Sequence, residues 1–155
     1  SRCLVGSEMC IRDSLYTGTG TIAQFIASNA KKVIGIDSVP EAIEAANLSA
    51  IDNNISNCMF FAGDMKNMFS DNFIQKNGKP DIIITDPPRD GMHKKVIEQL
   101  LKIMCRRIVY ISCNPATQAR DIALLKEKYE ISNMQTVDMF PHTHHVENIL
   151  VLDLK

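Results

Sequence analysis

From Leu15 onward, the spacing of apolar and polar positions switches repeatedly between a strand-like and a helix-like period. Short apolar runs predict strands at residues 33–36, 59–62, 81–85 and 108–111. Between them, the spacing predicts helices starting near Thr21, from Ser38 to about Ala50, and over residues 96–104 and 117–129. Ile82, Ile83 and Ile84 in succession fit a strand buried on both faces. Ser38 and Glu41 stand at capping-box spacing, Pro40 suits a first helical turn, and Asn53-Asn54 suits a helix end. Two final strands, at residues 131–139 and 146–154, have no helix between them and are expected to pair antiparallel at one end of the sheet. The alternation predicts an α/β fold: a doubly wound, mostly parallel sheet with helices on both faces.

The first fourteen residues break this pattern. An apolar strand should lead into the first glycine turn, but this stretch carries Glu8, Arg12 and Asp13. The run from Val5 to Ser14 resembles translated sequencing-adapter sequence. Residues 1–14 are therefore expected to be foreign to the domain, residues 15–155 to form it, and the first strand to be damaged or missing. The alternative is a poorly patterned native strand over residues 9–15.

Composition narrows the function classes. A chain of 155 residues with 45% apolar and 23% charged residues suits one globular domain. No apolar run is long enough to cross a bilayer and no signal peptide is visible, so a cytoplasmic protein is expected. A net charge of −1 argues against a generally basic nucleic-acid binder, but leaves RNA open as a substrate. The five cysteines include no C-x-x-C pair, which disfavours a disulfide framework or a zinc ribbon. His142, His144 and His145 have no recognisable zinc spacing, so no metal is expected.

Candidate chemistry gathers where strands are expected to end. Gly18 and Gly20 with Thr21 form a glycine turn opening a helix, where backbone N–H groups can approach a ligand. Asp37 ends the next strand and can accept hydrogen bonds from ribose hydroxyls. The same Gly18 to Ala23 run satisfies a dinucleotide fingerprint, so a nicotinamide-dependent oxidoreductase competes at this point, as does a plain turn with no ligand. Asp64 could accept from an adenine amino group or simply cap a helix. Asp86-Pro87-Pro88-Arg89 is a stiff loop beyond the isoleucine strand, suited to holding a base against a methyl donor. Cys113, in Tyr110-Ile111-Ser112-Cys113-Asn114-Pro115, is expected on the same sheet edge, where a thiolate could act as a nucleophile. Its alternative is a small buried hydrophobe. Glu147 is either a surface carboxylate or a base directed into the pocket.

The segments Asp86 to Gly91, Tyr110 to Thr117 and Asp138 to Glu147, in this order and spacing, resemble the RNA uracil-5-methyltransferases, with the bacterial ribosomal-RNA branch nearest. The resemblance covers residues 15–155. It implies the seven-stranded, Rossmann-like sheet of S-adenosylmethionine-dependent methyltransferases, with a reversed last strand. It implies Cys113 as nucleophile, Glu147 as base, and Tyr16, Asp37 and Asp86 in contact with S-adenosylmethionine, with the Gly18 to Thr21 loop around the donor's amino-acid end. RNA, entered through a flipped-out uridine, is the implied partner. So is an N-terminal RNA-binding part, sometimes with an iron–sulfur cluster, that is not in this sequence. Transfer RNA is the alternative acceptor, and an amino-group base methyltransferase of the Asp-Pro-Pro type is the alternative chemistry. Members of the family usually carry Asp where this chain has Ser14, which puts binding of the methionine end in question.

Overall fold

The computed structural model describes residues 10–139, 142 and 146–155. Seven strands form one sheet in the order β3-β2-β1-β4-β5-β7-β6. They are β1 (Ile11–Leu15), β2 (Lys32–Asp37), β3 (Cys58–Ala62), β4 (Ile82–Thr85), β5 (Arg107–Ser112), β6 (Tyr129–Val137) and β7 (Glu147–Leu154). β1 to β5 run parallel, and β7 inserts antiparallel between β5 and β6. A dinucleotide-binding sheet of the 3-2-1-4-5-6 type lacks such an insertion.

The helices are α1 (Thr21–Ala27), α2 (Pro40–Asp52), α3 (Met65–Met68), α4 (Asp71–Asn77), α5 (Lys94–Ile103) and α6 (Pro115–Leu125). One face of the sheet packs Ile34, Ile36, Ile83, Ile108 and Leu152 against Val96, Ile97, Leu100 and Ile103 of α5 and Leu125 of α6. The other packs Val33, Ile82, Ile84 and Val109 against Ala23, Ile26 and Ala27 of α1. The α5 residues recur at helical spacing, which turns one apolar stripe inward. No helix among the described residues is long and apolar enough to cross a membrane.

Three sequence expectations need correction. The first strand is neither missing nor displaced: Ile11–Leu15 lies at the centre of the sheet, paired with β2 and β4. Backbone hydrogen bonding on both sides holds it there whatever the side chains. The polar character is real, however, for Arg12, Asp13 and Ser14 are all buried. A boundary between residues 14 and 15 would cut through this strand; residues 1–9 of the suspect segment lie outside the described residues. Ser38 does not cap α2. The Asp37 carboxylate accepts the Val39 N–H at 3.0 Å, and Val39 is the capping residue. The predicted helix at residues 117–129 runs instead from Pro115 to Leu125, because Tyr129 pairs with Leu154 and begins β6.

Candidate active site

The glycine turn is built by backbone geometry. Tyr16, Gly18 and Gly20 all have positive φ, at 59°, 54° and 79°. The Thr17 N–H donates to the Ile36 carbonyl (3.0 Å), which ties the turn to β2. A Cβ on Gly20 would lie 2.8 Å from the Phe60 ring, so only glycine fits without movement there. A Cβ on Gly18 would meet nothing within 4 Å, so the space over Gly18 is open. The Gly18 N–H donates to Asp37 Oδ2 at 2.8 Å. Each Asp37 oxygen thus accepts one backbone N–H and keeps a lone pair for another donor. Thr21 is exposed at the start of α1.

Two further predicted residues face this turn differently. Tyr16 is half-buried, and its hydroxyl meets the His93 backbone N–H. Burial first, then the charges of Asp121 and Asp64, push its pKa up to about 12 against that hydrogen bond. Asp64 is exposed, caps α3 through the Lys66 N–H (3.1 Å) and pairs with the Lys66 ammonium at 2.9 Å. The hydrogen bond from that ammonium is the main reason its carboxyl lies below the usual range. The capping role foreseen as an alternative is therefore present.

Beyond β4, the Asp86 N–H reaches back to the Leu15 carbonyl at 3.3 Å, which joins the proline loop to the end of β1. The Asp86 side chain is exposed, and its carboxyl is only partly desolvated. That desolvation, and second the negative charge of Glu147, raise its pKa.

Beyond β5, Cys113 is half-buried and lies between Ser112 and Asn114. The Ser112 hydroxyl accepts the Asn114 N–H at 3.0 Å, and the Asn114 side chain caps α6 by accepting the Ala116 N–H at 3.1 Å. Ser112 pairs with Asn148 across β5 and β7. Cys113 directly follows β5 and Glu147 opens β7, so each lies one residue beyond this pair at the same end of the sheet although 33 residues lie between them.

A buried amide pair fixes this junction. Gln118 Nε2 donates to the Tyr110 and Asn148 carbonyls at 3.0 and 3.1 Å, and Asn148 Nδ2 donates to Gln118 Oε1 at 2.6 Å. Gln118→Ala is expected to lower unfolding stability by about 1–3 kcal/mol, because it strands buried polar groups. A urea titration checks this; an unchanged midpoint would show that the amide pair is dispensable.

Every predicted site residue stands at the same edge of the sheet, beyond the carboxyl ends of the parallel strands, where ligands bind in open α/β sheets. Among the described residues no group of three His, Cys, Asp or Glu side chains is placed to hold a metal ion. Of the histidines weighed for metal binding, His144 and His145 lie outside the described residues. Sequence reasoning missed Gln118, Asp121 and Asn148. Gln118, Asp121, Ile122 and Leu125 recur at helical spacing along α6, so two polar residues on an inward stripe were the available signal.

Comparison with known proteins places this architecture. A family model described as tRNA (Uracil-5-)-methyltransferase matches residues 11–155 and so includes β1. A Bacteroides thetaiotaomicron protein described as an uncharacterized RNA methyltransferase is 57% identical over 152 residues, which cover 98% of this chain and 33% of that protein. A Porphyromonas gingivalis protein of the same description is 56% identical over 151 residues, 96% of this chain and 32% of that one. The chain thus spans about a third of the length of the curated relatives it matches. Among solved structures, the Pyrococcus abyssi tRNA (uracil-54, C5)-methyltransferase in complex with S-adenosyl-L-homocysteine superposes with a TM-score of 0.82 at 37% identity, covering 96% of this chain and 35% of that one. An rRNA methylase from Streptococcus thermophilus, at 15% identity and a TM-score of 0.74, shares the fold. The sheet order, the inserted antiparallel strand and these matches agree: the fold is that of the S-adenosylmethionine-dependent methyltransferases, and the chain belongs to the tRNA (uracil-5-)-methyltransferase family.

Proposed function

We propose that this chain is the methyl-transfer part of a cytoplasmic enzyme that methylates carbon 5 of a uridine in RNA, using S-adenosylmethionine and a covalent adduct to Cys113. The observation that supports this reading is the pairing of Ser112 with Asn148, one residue short of Cys113 and Glu147, at the sheet edge that also holds the glycine turn. On the sequence resemblance, ribosomal RNA is the favoured acceptor and transfer RNA the other. An RNA-binding part elsewhere in the whole protein would supply the phosphate contacts that a chain of net charge −1 offers poorly.

The residues fit the methyl donor. Open space lies over Gly18, Asp37 retains lone pairs for ribose hydroxyls, and Tyr16, Gly20, Thr21, Asp64 and Asp86 surround the same edge. When bound, the donor supplies an electrophilic methyl group on a sulfonium sulfur. Ser14 is a departure from the family, since a hydroxyl offers no negative charge to the donor's ammonium.

Carbon 5 of uracil is too weak a nucleophile to react unaided. The Cys113 thiolate adds to carbon 6, forming a C–S bond and an enolate that places electron density on carbon 5. Once carbon 5 is methylated, the Glu147 carboxylate takes its remaining proton. The electron pair of that C–H bond re-forms the ring double bond, the C–S bond breaks, and the thiolate leaves. The base must first be unstacked to enter the site, as in other base-modifying enzymes.

The test is incubation of the whole protein carrying this chain with 5-fluorouridine RNA and S-adenosylmethionine. Fluorine cannot be removed as a proton, so the adduct persists. A peptide mass shift at Cys113 is expected; no adduct, or one on another residue, overturns the reading. Glu147→Gln is expected to accumulate a methylated adduct with ordinary uridine RNA and to slow product release by roughly 100-fold or more. Free methylated RNA formed at the normal rate would remove Glu147 from the base role.

A further inference from the structure

We propose that Asp121 is a positioning residue that clamps the base-facing loop, residues 86–93, onto the helix that follows Cys113. The inference rests on the proposed uridine methylation and extends it to a residue that does not touch the reacting atoms.

Asp121 lies in α6, is fully buried, and has four short hydrogen bonds. Its Oδ2 accepts the Met92 N–H and the Tyr110 hydroxyl, each at 2.7 Å. Its Oδ1 accepts Nε and Nη2 of Arg120 at 3.0 and 2.7 Å. Arg120 Nη2 also donates to the Asp90 carbonyl at 2.8 Å. The Arg89 carbonyl accepts from Asn114 Nδ2 (3.0 Å) and Thr117 Oγ1 (2.9 Å). Two carbonyls and one N–H of the loop therefore end on α6, whose first turn begins two residues after Cys113. Gly91, with φ 79°, crosses directly over the clamp: a Cβ there would lie 2.6 Å from Arg120 Nη2 and 2.7 Å from Asp121 Oδ2. The next residue but one, His93, meets the Tyr16 hydroxyl from the glycine turn.

The loop and the nucleophile's helix thus meet on one carboxylate. Pro87 and Pro88 contribute no N–H, so beyond the Asp86 N–H bond to Leu15 and the buried Met92 the loop is held chiefly by these bonds. Burial, reinforced by Asp121, keeps the Tyr110 hydroxyl protonated and therefore a donor. Replacing the carboxylate with an amide sets an NH₂ group against donors on one side or the other, which loosens the loop without emptying space. Displacement of a reacting base by about 1 Å costs roughly 100-fold in rate.

The test compares Asp121→Asn with the unaltered whole protein by three readouts: adduct formation with 5-fluorouridine RNA, S-adenosylhomocysteine affinity by calorimetry, and the alkylation rate of Cys113 by iodoacetamide. Adduct formation is expected to fall by roughly 100-fold, while the other two stay within about 3-fold. Should Asp121→Asn fail to fold, Arg120→Ala decides. Its side chain is 54% exposed, and its loss frees the Asp90 carbonyl. A loss of roughly 10-fold in adduct formation at unchanged Tm, partly restored by Arg120→Lys, is expected. Unchanged adduct formation in the folded variants, or a loss matched by equal losses in cofactor affinity and alkylation, overturns the proposal. If the unaltered protein itself forms no adduct, the methylation reading fails first, and with it this extension.

Discussion

Cys113→Ala in the whole protein is expected to lower methyl transfer by at least roughly 10,000-fold and to abolish the 5-fluorouridine adduct, while S-adenosylhomocysteine binding persists. The expectation follows from placement. Cys105 is buried before β5, hydrogen-bonded near Tyr129, and burial pushes its thiol up to about 11. Cys58 opens β3 at the opposite edge of the sheet, where its thiol meets the Ala23 carbonyl, and burial raises its pKa as well. Among the described residues, Cys113 alone combines partial exposure with a position at the carboxyl edge. Cys58→Ala therefore serves as the control and should leave the rate unchanged. Retained turnover in Cys113→Ala would end the proposed covalent mechanism, since among the described residues no other thiol stands at that edge.

The second large effect concerns stability and comes from β1. Asp13 is fully buried between Ile34 and Ile83, and neither carboxyl oxygen has a hydrogen-bond partner among the described residues. Desolvation raises its pKa from 3.8 to about 7, against a smaller opposing pull from Lys32; among the described residues the Cys105 thiol also feels its charge. The folded chain thus holds this proton more tightly than the unfolded chain does. The associated stability is complete below about pH 4, is lost as pH rises to about 7, and is level above that, a change on the order of 4 kcal/mol. Asp13→Val matches its isoleucine neighbours and should raise the urea midpoint strongly at pH 7.5 while flattening the slope between pH 4 and 7. An undiminished slope in the variant would show that another group governs it.

Asp13 also explains where sequence reading faltered. Six of the seven strands were legible because apolar runs mark buried strands, and the antiparallel end pair was legible because no helix fits between its members. β1 was not, because Arg12, Asp13 and Ser14 erase the apolar signal while the backbone still satisfies both neighbours. The short helices Met65–Met68 and Asp71–Asn77 were also missed, each too short to display a helical period. The placement of Gly18, Gly20, Asp37, Asp86 and Cys113 at one edge of the sheet was readable because each ends or follows a strand. The support beneath them was not. Gln118 and Asp121 look like surface positions until tertiary packing turns their face of α6 inward.

At one end of the sheet, chain order and spatial order part company. β5 takes as its neighbour the last strand, not the next one, so β6 joins the sheet only through β7, with which it pairs antiparallel. Before β7 docks, β5 presents an open hydrogen-bonding edge, and a pairing between segments this far apart in the chain forms slowly. Closing the sheet and bringing together the strand ends that carry Cys113 and Glu147 are therefore the same pairing, and a chain that has not made it has neither a finished sheet nor the proposed site.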